Sequence, residues 1–379
     1  MEPVYNKLLE SIIHKEIKNV KPWFIYADWL QAKNDPRGQI ISLELSIKHG
    51  NVNNALLKNT LLEDLYRNNI PIWLKGMIKD YNAVKFDWHF GYIKNIQICR
   101  HSCLVDIVNL FANPISKFIQ TLSFSLGRSS ENSRFFDSLS KSLTKYPKQH
   151  LNTLNLSSNG LTDIPFTLLN CLPSIKAIDL SCNHLRHIPK ELLERTNLRQ
   201  LNLSQNNILS LPKLSRPSLA LEKIDLSYNR LAEVPPVISQ FKKLKSVSFD
   251  HTHIDHYPLF LFDLKNINSL SLSIGAKTTC AASLDRFQQL NHLKLSFRSR
   301  KIIPDWVAHC TQYRFIKSLN LSGNALTHLP DWLSDFSMLE HLDISHNNLV
   351  TIPGWLKYFP SLKSLSVSHN RLSEIPDFI

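Results

Sequence analysis

Only nine glycines occur among 379 residues, and no closely spaced set of them could cradle a phosphate, which argues against nucleotide hydrolysis. Long apolar runs are also missing. The opening MEPVYNKLLESIIHKE breaks its apolar pattern with charged and polar residues, so neither a signal peptide nor a transmembrane helix is read there. The six cysteines, Cys99, Cys103, Cys171, Cys182, Cys280 and Cys310, are scattered and read as reduced thiols in a cytosol rather than as disulfide staples. Cys99-Arg100-His101-Ser102-Cys103 lacks a second ligand pair at workable spacing, so no metal site is expected. No flanking motif suggests a Ser/His/Asp or Cys/His set. Neither catalysis nor a cofactor is expected. The net charge of +13 favours an acidic protein, nucleic acid or an anionic surface as partner. That charge is spread along the chain without any long basic run, however, and a solvated lysine-rich surface explains it equally well.

What is present is repetition. Asn159, Asn183, Asn206 and Asn229 sit inside LNTLNLSSNGLTDIP, IKAIDLSCNHLRHIP, LRQLNLSQNNILSLP and LEKIDLSYNRLAEVP, and the phrase returns at Asn324, Asn347 and Asn370. A 23-residue step between the two groups lands on Thr252, Gly275 and Arg298; the interval from Arg298 to Asn324 is longer. Leu154 and Leu156 alternate with Asn155 and Ser157, as in a strand with one apolar face. The asparagine then turns the chain, its side chain satisfying backbone groups that would otherwise be unpaired inside. Leu161, Ile164 and Leu168 close the apolar cross-section. One such unit cannot bury its own face, so the units must stack, with their strands forming a parallel sheet on the concave side. At about 4.8 Å per strand, ten units give an inner edge on the order of 45 Å, the size of a protein partner.

The order Leu-x-x-Leu-x-Leu-x-x-Asn-x-Leu-x-x-Ile-Pro resembles the leucine-rich repeat family over residues 151–379. The resemblance implies an α/β solenoid, a horseshoe with a parallel concave sheet and a small N-terminal helical cap. Residues 1–50 read as that cap: Val4, Leu8, Leu9, Ile12 and Ile13 make one apolar stripe, Pro22 opens a second segment with Trp23, Phe24, Tyr26, Trp29 and Leu30, and Ile40 to Ile47 suggest a third helix. Tyr26-Ala27-Asp28-Trp29-Leu30 and Asp35-Pro36-Arg37-Gly38-Gln39 resemble the bacterial repeat-companion module that precedes repeat arrays. Residues 51–150 read as a linker with two longer repeats, whose strands hold Ile96 and Ile98, then Leu122 and Phe124, the second followed by helical spacing at Phe135, Phe136, Leu139 and Leu143. The three cap helices would cover the first repeat edge.

The residue before each turn asparagine varies: Ser158, Cys182, Gln205, Tyr228, His251, Ile274, Phe297, Gly323, His346, His369. Its neighbouring columns stay small or polar. A variable column on a fixed lattice is what a recognition surface requires, and it is also what unconstrained sequence looks like. Phe297-Arg298-Ser299-Arg300-Lys301, beside Lys294 and His292, gathers a ring and cations where the array breaks its rule. The partner-binding residues expected are Tyr228, His251, Lys294, Phe297, Arg298, Arg300, His346 and His369. A second stripe, Phe260, Trp306, Trp332, Trp355 and Phe378, reads either as convex packing or as an exposed strip. No cap is visible after the last repeat in this sequence, so the strand at Leu365-Ser366-Val367 is expected to present an edge for self-association. The expectation is a protein-binding scaffold, cytoplasmic or delivered into a host cell as a bacterial effector. Nucleic-acid or anionic-surface binding is the alternative.

Overall fold

The computed structural model describes residues 20–49, 55–216, 220–275, 279–280, 286–297 and 315–374. The chain divides into two compact units, residues 1–159 with 165–175 and residues 160–164 with 176–379. The Val4 to Ile13 stripe, Arg298, Arg300, Trp306 and Phe378 lie outside the described residues.

The first unit opens with α1 (Lys21–Ala32), α2 (Pro36–His49) and α3 (Ala55–Trp73). Asp35 accepts hydrogen bonds from the Arg37 backbone N–H and from its Nε, both at 3.0 Å, fixing the turn between α1 and α2. Burial alone would raise the Asp35 pKa, but these bonds hold it below the ordinary carboxylate value. Gly38 lets α2 approach α1 closely: a Cβ there would come within 2.7 Å of the Ala27 carbonyl and of Gln31. Trp23, Tyr26, Ala27, Leu30, Ile41 and Leu45 form one core with Phe90, Tyr92 and Phe118, and the Tyr26 and Tyr92 hydroxyls lie 2.7 Å apart.

That core rests on a hairpin, β1 (Val84–His89) paired antiparallel with β2 (Tyr92–Ile98). Phe90 and Gly91 both have positive φ, 55° and 69°, the geometry of a two-residue type I′ turn. The strain of a left-handed phenylalanine is offset by the Glu44 carboxylate, which accepts the Phe90 N–H at 2.9 Å and pairs with His89 at 2.8 Å. The Tyr66 hydroxyl also donates to Glu44, and burial beside that carboxylate raises its pKa well above the usual phenol value. The expectation that helices cover the edge beside Ile96 and Ile98 is corrected: β1 pairs along β2 there. The reason is visible in Val84-Lys85-Phe86-Asp87-Trp88, which alternates as a strand does. After β2 come α4 (Leu104–Ala112), β3 (Thr121–Phe124), α5 (Asn132–Lys145), β4 (Thr153–Asn155) and α6 (Phe166–Asn170), with β2, β3 and β4 parallel neighbours.

The second unit is a stack of short parallel strands: β5 (Ala177–Asp179), β6 (Gln200–Asn202), β7 (Lys223–Asp225), β8 (Ser246–Ser248), β10 (Ser269–Ile274), β12 (His292–Phe297), β13 (Ser318–Asn320), β14 (His341–Asp343) and β15 (Ser364–Ser366). Behind them the chain returns through single helical turns, including α7 (Lys190–Leu193) and α8 (Leu259–Phe262). Pro189, Pro258, Pro330 and Pro353 each stand at the start of such a turn, where a missing N–H costs nothing. A small second sheet joins β9 (His256–Tyr257) to β11 (Thr279–Cys280).

Asparagines knit the repeats together. Asn206 donates to the carbonyls of Leu180, Leu203 and Ser204 and accepts the Leu185 N–H. Asn229 repeats the pattern one step on, and Asn347 repeats it further along. Thr252 keeps one of these bonds, from its hydroxyl to the Phe249 carbonyl at 2.7 Å. Near Gly275 a buried tyrosine substitutes: Tyr257 accepts the Ser273 N–H and donates to the Ser273 carbonyl, both at 2.9 Å.

Candidate interaction surface

The variable column has a definite backbone geometry. Cys182, Gln205, Tyr228, His251, His346 and His369 all have φ between 50° and 56°, and Gly323 has φ of 71°. They are left-handed residues that bend the chain from the strand into the buried asparagine. The polar column three positions upstream makes that bend: Asp179 accepts the Ser181 N–H at 2.9 Å, and Asn202, Asp225, Asn320 and Asp343 do the same for their repeats. These side chains belong to the turns.

Ile274 and Phe297 depart from this. At both positions the strand runs on, to six residues in β10 and β12, and both side chains are buried. A β-branched isoleucine resists the left-handed region, and neither Gly275 nor Arg298 offers the short amide or hydroxyl that would draw the turn inward. Phe297 is therefore corrected. It closes the core with 7% exposure, its N–H donating to Asn324, and its ring is not presented to a partner.

The structure brings Tyr228, His251 and Lys294 together around a carboxylate that sequence reading missed. Asp250 stands where Ser181, Ser204 and Ser227 stand in other repeats, and it is 2% exposed. Its Oδ1 lies 2.8 Å from His251 Nδ1 and accepts the Ser296 hydroxyl, and its Oδ2 lies 2.5 Å from Lys294 Nζ. Asp250 follows β8 and Lys294 lies on β12, so the pair spans the intervening β10, where Ser271 and Ser273 are small. Burial would raise the Asp250 pKa; the hydrogen bonds from Lys294 and Ser296 outweigh it and hold the group ionised below its ordinary range. The Tyr228 ring stacks on His251 with centroids 4.2 Å apart and planes 10° apart, and Tyr228 is 47% exposed. The signal was present: Asp250 is a lone carboxylate in a serine column.

His346 and His369 form a second stack, also at 4.2 Å. Phe260, Trp332 and Trp355 are half-buried, and Trp355 Nε1 donates to Asp331 at 3.2 Å, which ties it to the preceding repeat. Charge is laddered beside the strands: Glu222 pairs with Arg199 and Lys245, and Glu340 with Lys317 and Lys363. Hydrogen bonds from Lys363 and then Lys317 hold the Glu340 carboxyl down at about 2. Among the described residues, no group of three or more His, Cys, Asp or Glu could hold a metal ion, and no helix is long and apolar enough to cross a membrane.

No curated protein matches the sequence. Among solved structures, 72% of the chain aligns with Toll from the Drosophila Toll–Spatzle complex at 23% identity and TM-score 0.43, covering 34% of that chain. The same share aligns with a leucine-rich repeat protein of Leptospira interrogans at 21% identity and TM-score 0.39, covering 82% of it. The functional domain of InlJ from Listeria monocytogenes aligns over 68% of the chain at 18% identity and TM-score 0.41, covering 50% of that domain. The chain thus spans about a third of Toll and half of the InlJ domain. The family model described as leucine rich repeat matches residues 149–208 and 314–372. Those two stretches are leucine-rich repeats, and β7, β8, β10 and β12 continue the same parallel register between them.

Proposed function

We propose that this protein is a binding scaffold without chemistry of its own, which holds a protein partner on the strand face of its second unit. The observation that carries this reading is the partly exposed set Tyr228, His251 and Lys294: buried Asp250 holds His251 and Lys294, and Tyr228 stacks on His251. Side chains already ordered in the free protein lose little entropy on binding, and tyrosine is among the residues that dominate interface energetics. Arg298 and Arg300, which lie outside the described residues, are included in the proposed partner-binding set from the sequence alone. Its narrower form, a bacterial effector acting in a host cell, is supported by the resemblance of residues 26–30 and 35–39 to a bacterial companion module.

Affinity capture with the full chain, run beside a Tyr228→Ala/Lys294→Glu variant, tests the proposal. A protein retained by the first and lost by the second is the expected result. An unchanged set of captured proteins would overturn it. The net charge of +13 favours nucleic acid as the second reading. A steep linear fall of log affinity with log salt, on the order of one unit per phosphate contact, would select that reading; a shallow slope selects protein.

A further inference from the structure

Of the four rings in the left-handed column, His251 alone has a carboxylate against it among the described residues. Asp250 Oδ1 lies 2.8 Å from its Nδ1, whereas the side chains of His346 and His369 meet only each other's ring faces. Burial would raise the Asp250 pKa, but Lys294 Nζ at 2.5 Å from Oδ2 and the Ser296 hydroxyl on Oδ1 hold the group ionised below its ordinary range. An ionised carboxylate only accepts, so Nδ1 must carry a proton in every charge state of the ring. The proton that comes and goes is the one on Nε2.

That nitrogen is turned away from the buried carboxylate. Asp250 is 2% exposed while the His251 side chain is 42% exposed, and among the described residues Nε2 has no hydrogen-bond partner. Tyr228 covers one face of the imidazole at 4.2 Å with planes 10° apart, so the stack and the Asp250 bond together fix the ring plane and the direction of Nε2. The titratable groups set around the ring are Tyr228 from the turn after β7, Asp250 beside it and, through Asp250, Lys294 from β12. Strand β10, between β8 and β12, turns only Ser269 and Ser271 toward this face.

Resting on the protein-binding reading, we propose that Asp250 sets His251 as an outward hydrogen-bond acceptor, which takes an N–H or O–H donor of the protein partner at neutral pH and releases it on acidification. Histidine is the side chain whose charge ordinarily changes between about pH 5 and pH 8, and Asp250, held below its ordinary range, stays ionised there. The Nδ1 bond therefore persists while Nε2 changes from acceptor to donor. Two donors then face each other at a desolvated contact, which is as unfavourable as leaving a buried polar group unpaired. His251 makes the contact, and Asp250 is its positioning residue.

Nitrogen NMR of the His251 ring in the full chain, assigned by the signals missing from His251→Gln, tests the tautomer without any partner. Nδ1 should stay protonated from about pH 8 to about pH 5, with the large change confined to Nε2. A neutral ring carrying its proton on Nε2 would overturn the proposal and leave the protein-binding reading untouched. For the contact itself, random dodecapeptides are selected on the immobilised full chain at about pH 7.5, and each enriched peptide is titrated by anisotropy there and at about pH 5.5. Affinity should fall about tenfold on acidification. His251→Gln, whose amide oxygen accepts without titrating, should bind alike at both pH values, and His251→Phe, which keeps the ring stack, should bind about tenfold more weakly at about pH 7.5. Peptides bound equally well by His251→Phe, or released by acid as steeply from His251→Gln, would overturn the contact and leave the strand face as the docking surface. Enrichment of no peptide would count against the protein-binding reading and remove the contact with it.

Discussion

The regular repeats are built from a left-handed residue followed by an inward-turned asparagine, and the two have opposite consequences when changed. Asn206→Ala leaves the carbonyls of Leu180, Leu203 and Ser204 and the Leu185 N–H short of a partner. At ~1–3 kcal/mol per orphaned buried group, partly relieved by relaxation, it should cost about 3 kcal/mol in chemical denaturation. Phe297→Ala should cost a similar ~3–5 kcal/mol, because its ring is buried. Tyr228→Ala, by contrast, should stay within ~0.5 kcal/mol of wild type. Equal losses for Phe297→Ala and Tyr228→Ala would contradict the placement of both rings. Glu340 gives a pH signature. Its folded pKa of about 2 lies below the ordinary 4.5, so its stabilising contribution is present above 4.5 and is lost as pH falls toward 2. NMR titration of its carboxyl should show that low midpoint, moving upward in high salt as the two lysines are screened.

At the scale of elements, the strand phase was legible because Leu-x-Leu alternation with a buried face admits one register, and Leu201 and Leu203 point inward while Asn202 does not. The second and third helices of the cap were legible from Pro22 and from Asn34-Asp35-Pro36. The hairpin was not, because Phe90 holds a left-handed turn position that sequence rules assign to Asn or Gly, and the Glu44 bond that tolerates it comes from a distant helix. The Asp250 cluster escaped for the same kind of reason: its partners lie two repeats away, beyond the reach of local motifs. Tyr257 stands in for a missing asparagine from outside the strand altogether. The helix crossing yields its own prediction. Gly38→Val forces a side chain into the Ala27 carbonyl and should destabilise the first unit by ~1–3 kcal/mol, with Trp23 fluorescence reporting the loss. Unchanged melting would mean that α1 and α2 do not meet at Gly38.

For the whole molecule, the charge of +13 is not distributed as a nucleic-acid track. Lysines and arginines beside the strands pair with Glu222 and Glu340, and Lys294 on β12 pairs with buried Asp250. The proposed recognition set draws Tyr228 and His251 from the turns after β7 and β8 and Lys294 from β12, segments separate in sequence that the repeat brings within two strand steps of β8. Hydrogen exchange of the full chain, free and with its captured partner, tests the central claim most directly. Binding on the strand face should slow exchange at Lys223–Tyr228, Ser246–His251 and His292–Phe297 while leaving α7, α8 and the helices of the first unit unchanged. Protection confined to those helices, with the strands exchanging as in the free protein, would contradict it.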